Sequence, residues 1–435
     1  MSSHHRSEAS ADGGFESTAA SGRIATLDII RGVAVMGILA MNIVAFAMPV
    51  QAYVNPRAYG WDGAADLWSW LVSFVFIDGR MRGLFSFLFG ASMLLIIERA
   101  DAQGQPSARI HFKRMAWLLL FGLAHFYFIW SGDILSLYAP IGMLAWFFHH
   151  ERPRNLLLWG ALLILAEALV MASLAASAAS ASAAAALPRA SAEALKAWRD
   201  LGGEFAVPSS GERAAILALY RGGYGGILMH RLTAEGADPV MNLLTYGCET
   251  LGYMLLGMAA LRNGFLAGRW SNRRYALVAA GGFLITVPLY ALLAWILIRH
   301  DFSVPELFAY SLFATTPLRP VMIVAIAALV VLATRGGGAL VERIAAAGRT
   351  AFTNYLATSI VMTGLFYGYG AGLFGTMSRA QLWLAVVPMW ALMLLWSRPW
   401  LDRFRYGPFE WLWRSLARGA PQPMRISKSA TQGSG

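Results

Sequence analysis

The chain has 435 residues, of which 57% are apolar and only 14% charged, with a formal charge of +11. Soluble domains carry roughly 25% charged residues, so a soluble enzyme is excluded, as are a disordered chain and, with Cys248 the sole cysteine, a disulfide scaffold. What fits is an all-α polytopic membrane protein. The positive charge is almost all arginine (the lysines are Lys113, Lys196 and Lys428) and lies at the ends of apolar runs. There it anchors and orients helices, which excludes nucleic acid as a partner.

Residues 1–22 and 419–435 are rich in small and polar residues and predict disordered tails. A hydrocarbon core of about 30 Å needs ~20 helical residues. Ten segments answer to that: 25–48, 80–98, 113–130, 134–149, 155–176, 240–261, 276–298, 317–333, 350–368 and 380–397, the fourth and eighth being short. Basic residues cluster in alternate connections, which predicts an even span count with both termini cytoplasmic. The chain then divides into a bundle over 23–176, a long extracytoplasmic loop over 177–239, and a second bundle with a cytoplasmic amphipathic helix over 240–418.

The first segment carries Asp28 and Arg31, three residues apart and able to pair on one helix face. Asn42 follows eleven residues after Arg31, on nearly the same face, so a polar stripe extends ~16 Å along the helix. Ala45-Phe46-Ala47 resembles a signal-peptide cleavage site, but Asp28 and Arg31 favour an uncleaved span. Leu67–Ile77 is too short to span and predicts an interfacial helix leading into the second segment. That segment opens Asp78-Gly79-Arg80-Met81-Arg82-Gly83; the Gly79/Gly83 and Ser86/Gly90 pairs predict close packing on a neighbour. Arg80 and Arg82 stand at an outer end, where cations are disfavoured. They either snorkel to headgroups or bind an anionic or carbonyl group.

The third and fourth segments form a tight hairpin through Ser131-Gly132-Asp133, with His125 before the turn and Tyr138 after it. A neutral imidazole that can take a proton near pH 7 makes His125 the strongest general-base candidate; the plain alternative is a hydrogen-bonded core histidine. Met171–Ala186 extends the fifth helix or opens a linker. Amphipathic helices are expected at 190–202 and 211–230, the latter broken by Gly222-Gly223-Tyr224-Gly225-Gly226. Glu167, Asn242, Glu249, Arg319, Asn354 and Tyr355 are further polar groups in or beside later spans, each able to act as glue between helices. P-loop, G-x-S-x-G and H-E-x-x-H motifs are absent. The eight histidines are scattered or in tails, so no metal is expected.

Arg23-x-x-x-Leu27-Asp28-x-x-Arg31-Gly32-x-Ala34 with Asn42, Leu84-Phe85-Ser86-Phe87-Leu88-Phe89-Gly90-Ala91, Gly132-Asp133-Ile134-Leu135-x-x-Tyr138-Ala139, Gly348-Arg349-Thr350-Ala351-x-Thr353-Asn354-Tyr355 and Gly407-Pro408-x-Glu410-Trp411-x-Trp413-Arg414 together resemble the YeiB-like bacterial membrane proteins (domain of unknown function 418). The resemblance implies a multi-pass protein of the bacterial inner membrane. More distantly, the first span is similar to the membrane acyltransferase superfamily. Acyltransferase-3 members place histidine where Asn42 stands, whereas the heparan glucosaminide N-acetyltransferases carry asparagine there. Trp61-Asp62-Gly63 and Asp66 are similar to a segment of the latter, but Ala58 occupies the place of their acyl-accepting histidine, which counts against a covalent acyl-histidine.

Three readings follow. In the first, an acyltransferase-like protein moves an acyl group from a cytoplasmic donor, with acyl-CoA as co-substrate and no bound cofactor, to an envelope sugar or lipid. Arg31, held by Asp28, contacts donor phosphate or carbonyl; Asn42 and Tyr138 orient the thioester, with Arg80, Arg82 and Asn354 as further substrate contacts; His125, tuned by Asp133, removes the acceptor proton. In the second, a transporter or flippase uses the same cavity without chemistry. In the third, the protein is a membrane scaffold or sensor. The bilayer is the constant partner, and self-association into a homo-oligomer fits all three.

Overall fold

A computed structural model describes residues 24–203 and 205–426. It is 75% helical, and among the described residues the only β pairing is an isolated bridge between Phe404 and Arg425. The tail expected at 1–22 lies outside the described residues, as does 427–435; residues 419–426 are held by backbone hydrogen bonds from Arg405 N–H to Met424 and from Ile426 N–H to Arg403.

The helices in chain order are α1 (Ala25–Ala47), α2 (Gln51–Val54), α3 (Ala64–Val72), α4 (Arg80–Ala102), α5 (Ser107–Phe128), α6 (Leu135–Ala145), α7 (Pro153–Ala185), α8 (Ala192–Gly202), α9 (Ser210–Tyr220) and α10 (Tyr224–Thr233). They continue with α11 (Asp238–Arg262), α12 (Asn272–Arg299), α13 (Val304–Glu306), α14 (Arg319–Thr334), α15 (Ala339–Arg349), α16 (Ala351–Phe366), α17 (Trp383–Leu401) and α18 (Pro408–Arg418). By length and composition α1, α3 with α4, α7, α12 and α17 can cross a membrane, and Leu135–Phe148, Val304–Phe313, Arg319–Thr334 and Ala351–Phe366 are shorter apolar helical stretches. Leu169, Leu284, Leu384 and Leu395 stand exposed along α7, α12 and α17, the side chains a lipid solvent requires. The protein is an all-α membrane protein.

Local chemistry sets the breaks. Ser73–Ile77 continues α3 as a π-helical turn, and Gly79 then adopts φ +70, a left-handed conformation that admits glycine readily, before α4 begins. The Ala/Ser stretch extends α7 to Ala185, and the glycine cluster separates α9 from α10. The fourth segment folds as an eleven-residue α6 ending in the 3₁₀ turn Trp146–Phe148. The ninth folds as the sixteen-residue α16, which the separate α15 meets at Thr350, whose hydroxyl hydrogen-bonds Ser397 on α17 at 3.0 Å.

α1 lies at the centre, packed by α4, α15, α16 and α17, while α4 packs on α11 and α11 on α7. Two of these interfaces are backbone on backbone. A Cβ on Gly90 would fall 2.1 Å from the Met254 carbonyl oxygen and one on Gly257 1.7 Å from that of Phe87, so α4 meets α11 through glycine. In the same way a Cβ on Gly32 would meet the Ile344 oxygen at 2.1 Å, and one on Gly348 the Asp28 oxygen at 1.8 Å, fixing α1 to α15.

One end of the bundle, the basic face, gathers Arg99, Arg109, Lys113, Arg114, Arg414 and Arg418 around one hollow. The opposite end is closed by the segment between α1 and α4. There the Asp66 carboxylate accepts from the Asp62, Gly63 and Ala380 amides, and Arg379 donates its own amide to Gly60.

Candidate functional site

A cavity of about 520 Å³ enters from the basic face. Its mouth is cationic, with Arg31, Arg99, Arg114, Arg349, Arg405 and Arg414 against Asp28 and Glu410; its interior is apolar, bounded by Phe85, Phe89, Met93, Leu118, Leu135 and Phe352. Arg31 is poised at the junction. Its guanidinium pairs with Asp28 at 3.0 Å and donates to Ser92 Oγ at 2.6 Å, leaving a partly exposed cation fixed by two partners. An ionised pair at this depth fits a wet cavity better than hydrocarbon.

The amphipathic α18 forms one wall. Glu410 accepts from the Phe352 and Thr353 amides at 2.7 and 3.1 Å and from Thr353 Oγ1 at 2.5 Å, so it satisfies the open N-terminus of α16. Trp413 donates its indole N–H to the Arg114 carbonyl at 2.9 Å, and the Arg114 guanidinium lies 4.1 Å over that ring. On this helix, outside the spanning segments, burial draws the Arg414 guanidinium below its usual range and the nearby Arg418 and Arg31 add to the effect.

The inner end of the cavity includes Ile134, Leu135 and Tyr355. Tyr355 Oη accepts from the Ile134 amide at 3.1 Å and donates to Asp133 Oδ1 at 3.4 Å. The same Oδ1 lies 2.8 Å from His125 Nδ1, while Oδ2 accepts from the Ser136 amide at 2.6 Å. A carboxylate only accepts, so Nδ1 carries the proton and Nε2 presents a lone pair. His125 Nε2 is buried and has no hydrogen-bond partner among the described residues. A carboxylate-oriented imidazole with a bare Nε2 can act as a general base, and Tyr355, which lines the cavity, touches both members of this dyad.

The expected site residues therefore separate into groups. Asp28 and Arg31 line the cavity; His125 and Asp133 form the dyad behind it. Asn42 borders a separate void of about 10 Å³ with Phe46, Trp130, Tyr355 and Ser359, so the stripe expected along α1 is divided, with Tyr355 common to both hollows. Tyr138 is fully buried and donates to the Arg82 carbonyl at 2.9 Å, with Ser86 Oγ at 2.6 Å. Asn354 is spent on the α15–α16 break, donating to Ala347 and Thr350 at 3.1 Å and accepting from Trp396 at 2.9 Å. Neither lines the cavity, because each has nearer partners on a neighbouring helix.

Arg80 and Arg82 are not at an open rim either. Arg82 forms an ion pair with Glu249, which also pairs with Arg319 at 2.8 Å and accepts from Tyr253 Oη at 2.6 Å. Glu167 accepts the Glu249 amide at 3.2 Å. Arg80 is 2% exposed, with its guanidinium 3.7 Å from the Tyr290 ring centroid. This second polar centre is buried among α4, α11 and α14: Glu249 pairs with two arginines, while Arg80 Nε and Nη2 have no hydrogen-bond partner among the described residues. Ser92, His111, Arg114, Glu410 and Arg414 are the cavity residues that reading the sequence missed. The motif holding Glu410, Trp413 and Arg414 was a usable signal, since capping and vestibule roles both fall within it.

Among the described residues no group of three His, Cys, Asp or Glu side chains could hold a metal ion. Residues 260–420 match the family model described as "Protein of unknown function (DUF418)". The chain is 34% identical to the uncharacterized Escherichia coli K12 protein YeiB over 94% of this chain and 99% of that one. It is 29% identical to the uncharacterized Bacillus subtilis protein YxaH, covering 92% and 96% of the two chains. A Bacillus acidopullulyticus protein encoded in an amylase 3′ region is 24% identical over 94% of this chain and 97% of its own. No solved structure matches. A membrane protein of this length, aligned end to end with YeiB and carrying the family's C-terminal region, belongs to the YeiB-like DUF418 family.

Proposed function

We propose that this protein resides in the bacterial inner membrane and transfers an acyl group from a cytoplasmic thioester donor, acyl-CoA, to a hydroxyl of an envelope sugar or lipid. One observation carries the reading: a cavity with a cationic mouth ends at Tyr355, whose hydroxyl is bonded to the carboxylate that orients His125. Arg31, braced by Asp28 and Ser92, donates to the donor's carbonyl or phosphate oxygens. The acceptor hydroxyl gives its proton to His125 Nε2 as its oxygen attacks the thioester carbonyl. Collapse breaks the C–S bond, and the departing thiolate takes that proton back from the imidazolium. Transfer is direct, since Ala58 stands where an acyl-histidine would form.

The test is transfer of radiolabelled acyl groups from acyl-CoA to envelope extract by purified protein in lipid nanodiscs. Labelled acceptor is expected with the wild type and not with Arg31→Gln; absence of both labelled acceptor and released CoA sinks the reading. A flippase is the second reading. It is favoured by the buried Arg82–Glu249–Arg319 centre, which acyl transfer does not use and whose charges suit a moving element. Transbilayer lipid movement without CoA release selects it.

A further inference from the structure

The cavity at Arg31 adjoins a second hollow of about 720 Å³ at the basic face, and the two share Ile96, Arg99, Arg114 and Arg414 as a common wall. The second hollow is lined by Arg99, Arg109, Lys113, Arg114, Arg414 and Arg418, and among the described residues no carboxylate lines it. Lys113, Arg114, Arg414 and Arg418 have no salt-bridge partner among the described residues. The guanidinium groups of Arg114, Arg414 and Arg418, converging from α5 and α18, match the several anionic oxygens of a phosphate or pyrophosphate.

The first cavity gives the other half of the ligand. Its lining on α4 runs from Phe85 to Arg99, fourteen residues and hence ~20 Å at 1.5 Å per residue. One leaflet fills about half of a ~30 Å hydrocarbon core, so this length accommodates a chain as long as those of membrane lipids. A phosphate head without a chain behind it would leave that apolar wall facing water, which the area-proportional cost of apolar exposure disfavours.

We infer that the two hollows together bind one phosphate-headed long-chain amphiphile, its head among Arg114, Arg414 and their neighbours and its chain along α4 toward Leu135. This rests on the transfer reading only in taking the amphiphile to be the donor. Two sources share the chemistry: a long-chain acyl-CoA from the cytoplasm and a lipid phosphate from the bilayer.

The experiment measures binding of radiolabelled palmitoyl-CoA and, separately, of radiolabelled phosphatidic acid to full-length protein in phosphatidylcholine nanodiscs, with acetyl-CoA as competitor. Palmitoyl-CoA is expected to bind at least tenfold tighter than acetyl-CoA. The double variant Arg114→Gln/Arg414→Gln is expected to weaken it at least tenfold, with Arg114→Lys/Arg414→Lys between that and wild type. Leu135→Trp, which shortens the chamber, is expected to weaken palmitoyl-CoA more than octanoyl-CoA. Monodisperse size-exclusion profiles and thermal denaturation midpoints at the wild-type value establish that the variants are folded. Acetyl-CoA bound as tightly as palmitoyl-CoA, or neither palmitoyl-CoA nor phosphatidic acid bound, overturns the proposal. Phosphatidic acid bound alone upholds it with the bilayer as source and removes acyl-CoA as donor. Palmitoyl-CoA bound but never cleaved upholds it while the transfer reading falls.

Discussion

Replacing Gly348 by alanine forces the two backbones that frame Arg31 apart. The new Cβ would stand 1.8 Å from the Asp28 carbonyl oxygen and 2.6 Å from the Gly32 amide nitrogen, with no flexible side chain to yield. Ordinary contact begins at 3.4 Å, so α1 and α15 must separate by roughly 1.5 Å, where overpacking typically costs about 1–3 kcal/mol. Because the obstacle is backbone and the shift also strips contacts along the α1–α15 seam, we place Gly348→Ala at the upper end, ~3 kcal/mol, a factor of more than a hundred in the folded ratio. Gly281 in α12 is the control: nothing lies within 4 Å of its Cβ position. Alanine there gains up to about 1 kcal/mol of helix propensity. Thermal denaturation in detergent, followed by loss of the monodisperse size-exclusion peak, should put the Gly348→Ala midpoint well below wild type and that of Gly281→Ala at or above it. Equal midpoints for the two variants would refute the close backbone approach and with it the placement of Asp28 and Arg31.

Other changes address other links. Glu249→Leu leaves Arg82 and Arg319 buried without their carboxylate and should cost about 3–5 kcal/mol, whereas Arg82→Met/Glu249→Leu/Arg319→Met should recover most of that loss; the same denaturation assay reads both. Glu410→Gln brings an amide against the donors at the start of α16, and should cost about 1 kcal/mol as a lost helix cap. Faster hydrogen exchange at Phe352 and Thr353 is the accompanying signal. Asp133→Asn removes the carboxylate that fixes the His125 tautomer, and any acyl transfer should fall by about 10²–10⁴-fold with the protein still folded.

Apolar run length located the long apolar helices but not α15, because lipid leaves a spanning backbone few alternatives to helix while a half-polar helix carries no such run. Asp28 with Arg31, and Gly90 as a close-packing position, were legible for the same reason: both are patterns local to one helix. The His125–Asp133 pair spans a tight turn and was readable as well. What escaped depends on distant chain. Glu249 meets Arg82 and Arg319 across 167 and 70 residues, so neither partner follows from spacing. Tyr138 and Asn354 looked like ligand contacts, yet Ser86, Thr350 and Trp396 on neighbouring turns and helices satisfy them. The cavity's cationic wall is assembled from α1, α4, α5, α15 and α18, and the sequence marks α18 as amphipathic without saying that it lies against α5 and α16.

The most direct measurement is single-turnover cleavage of acyl-CoA by His125→Asn protein in nanodiscs, set beside its acyl-CoA Kd. With His125 as the base behind the cavity, the cleavage rate drops at least a hundredfold while Kd stays within about twofold of wild type. Cleavage at the wild-type rate, or a wild-type protein that releases no CoA at all, contradicts it.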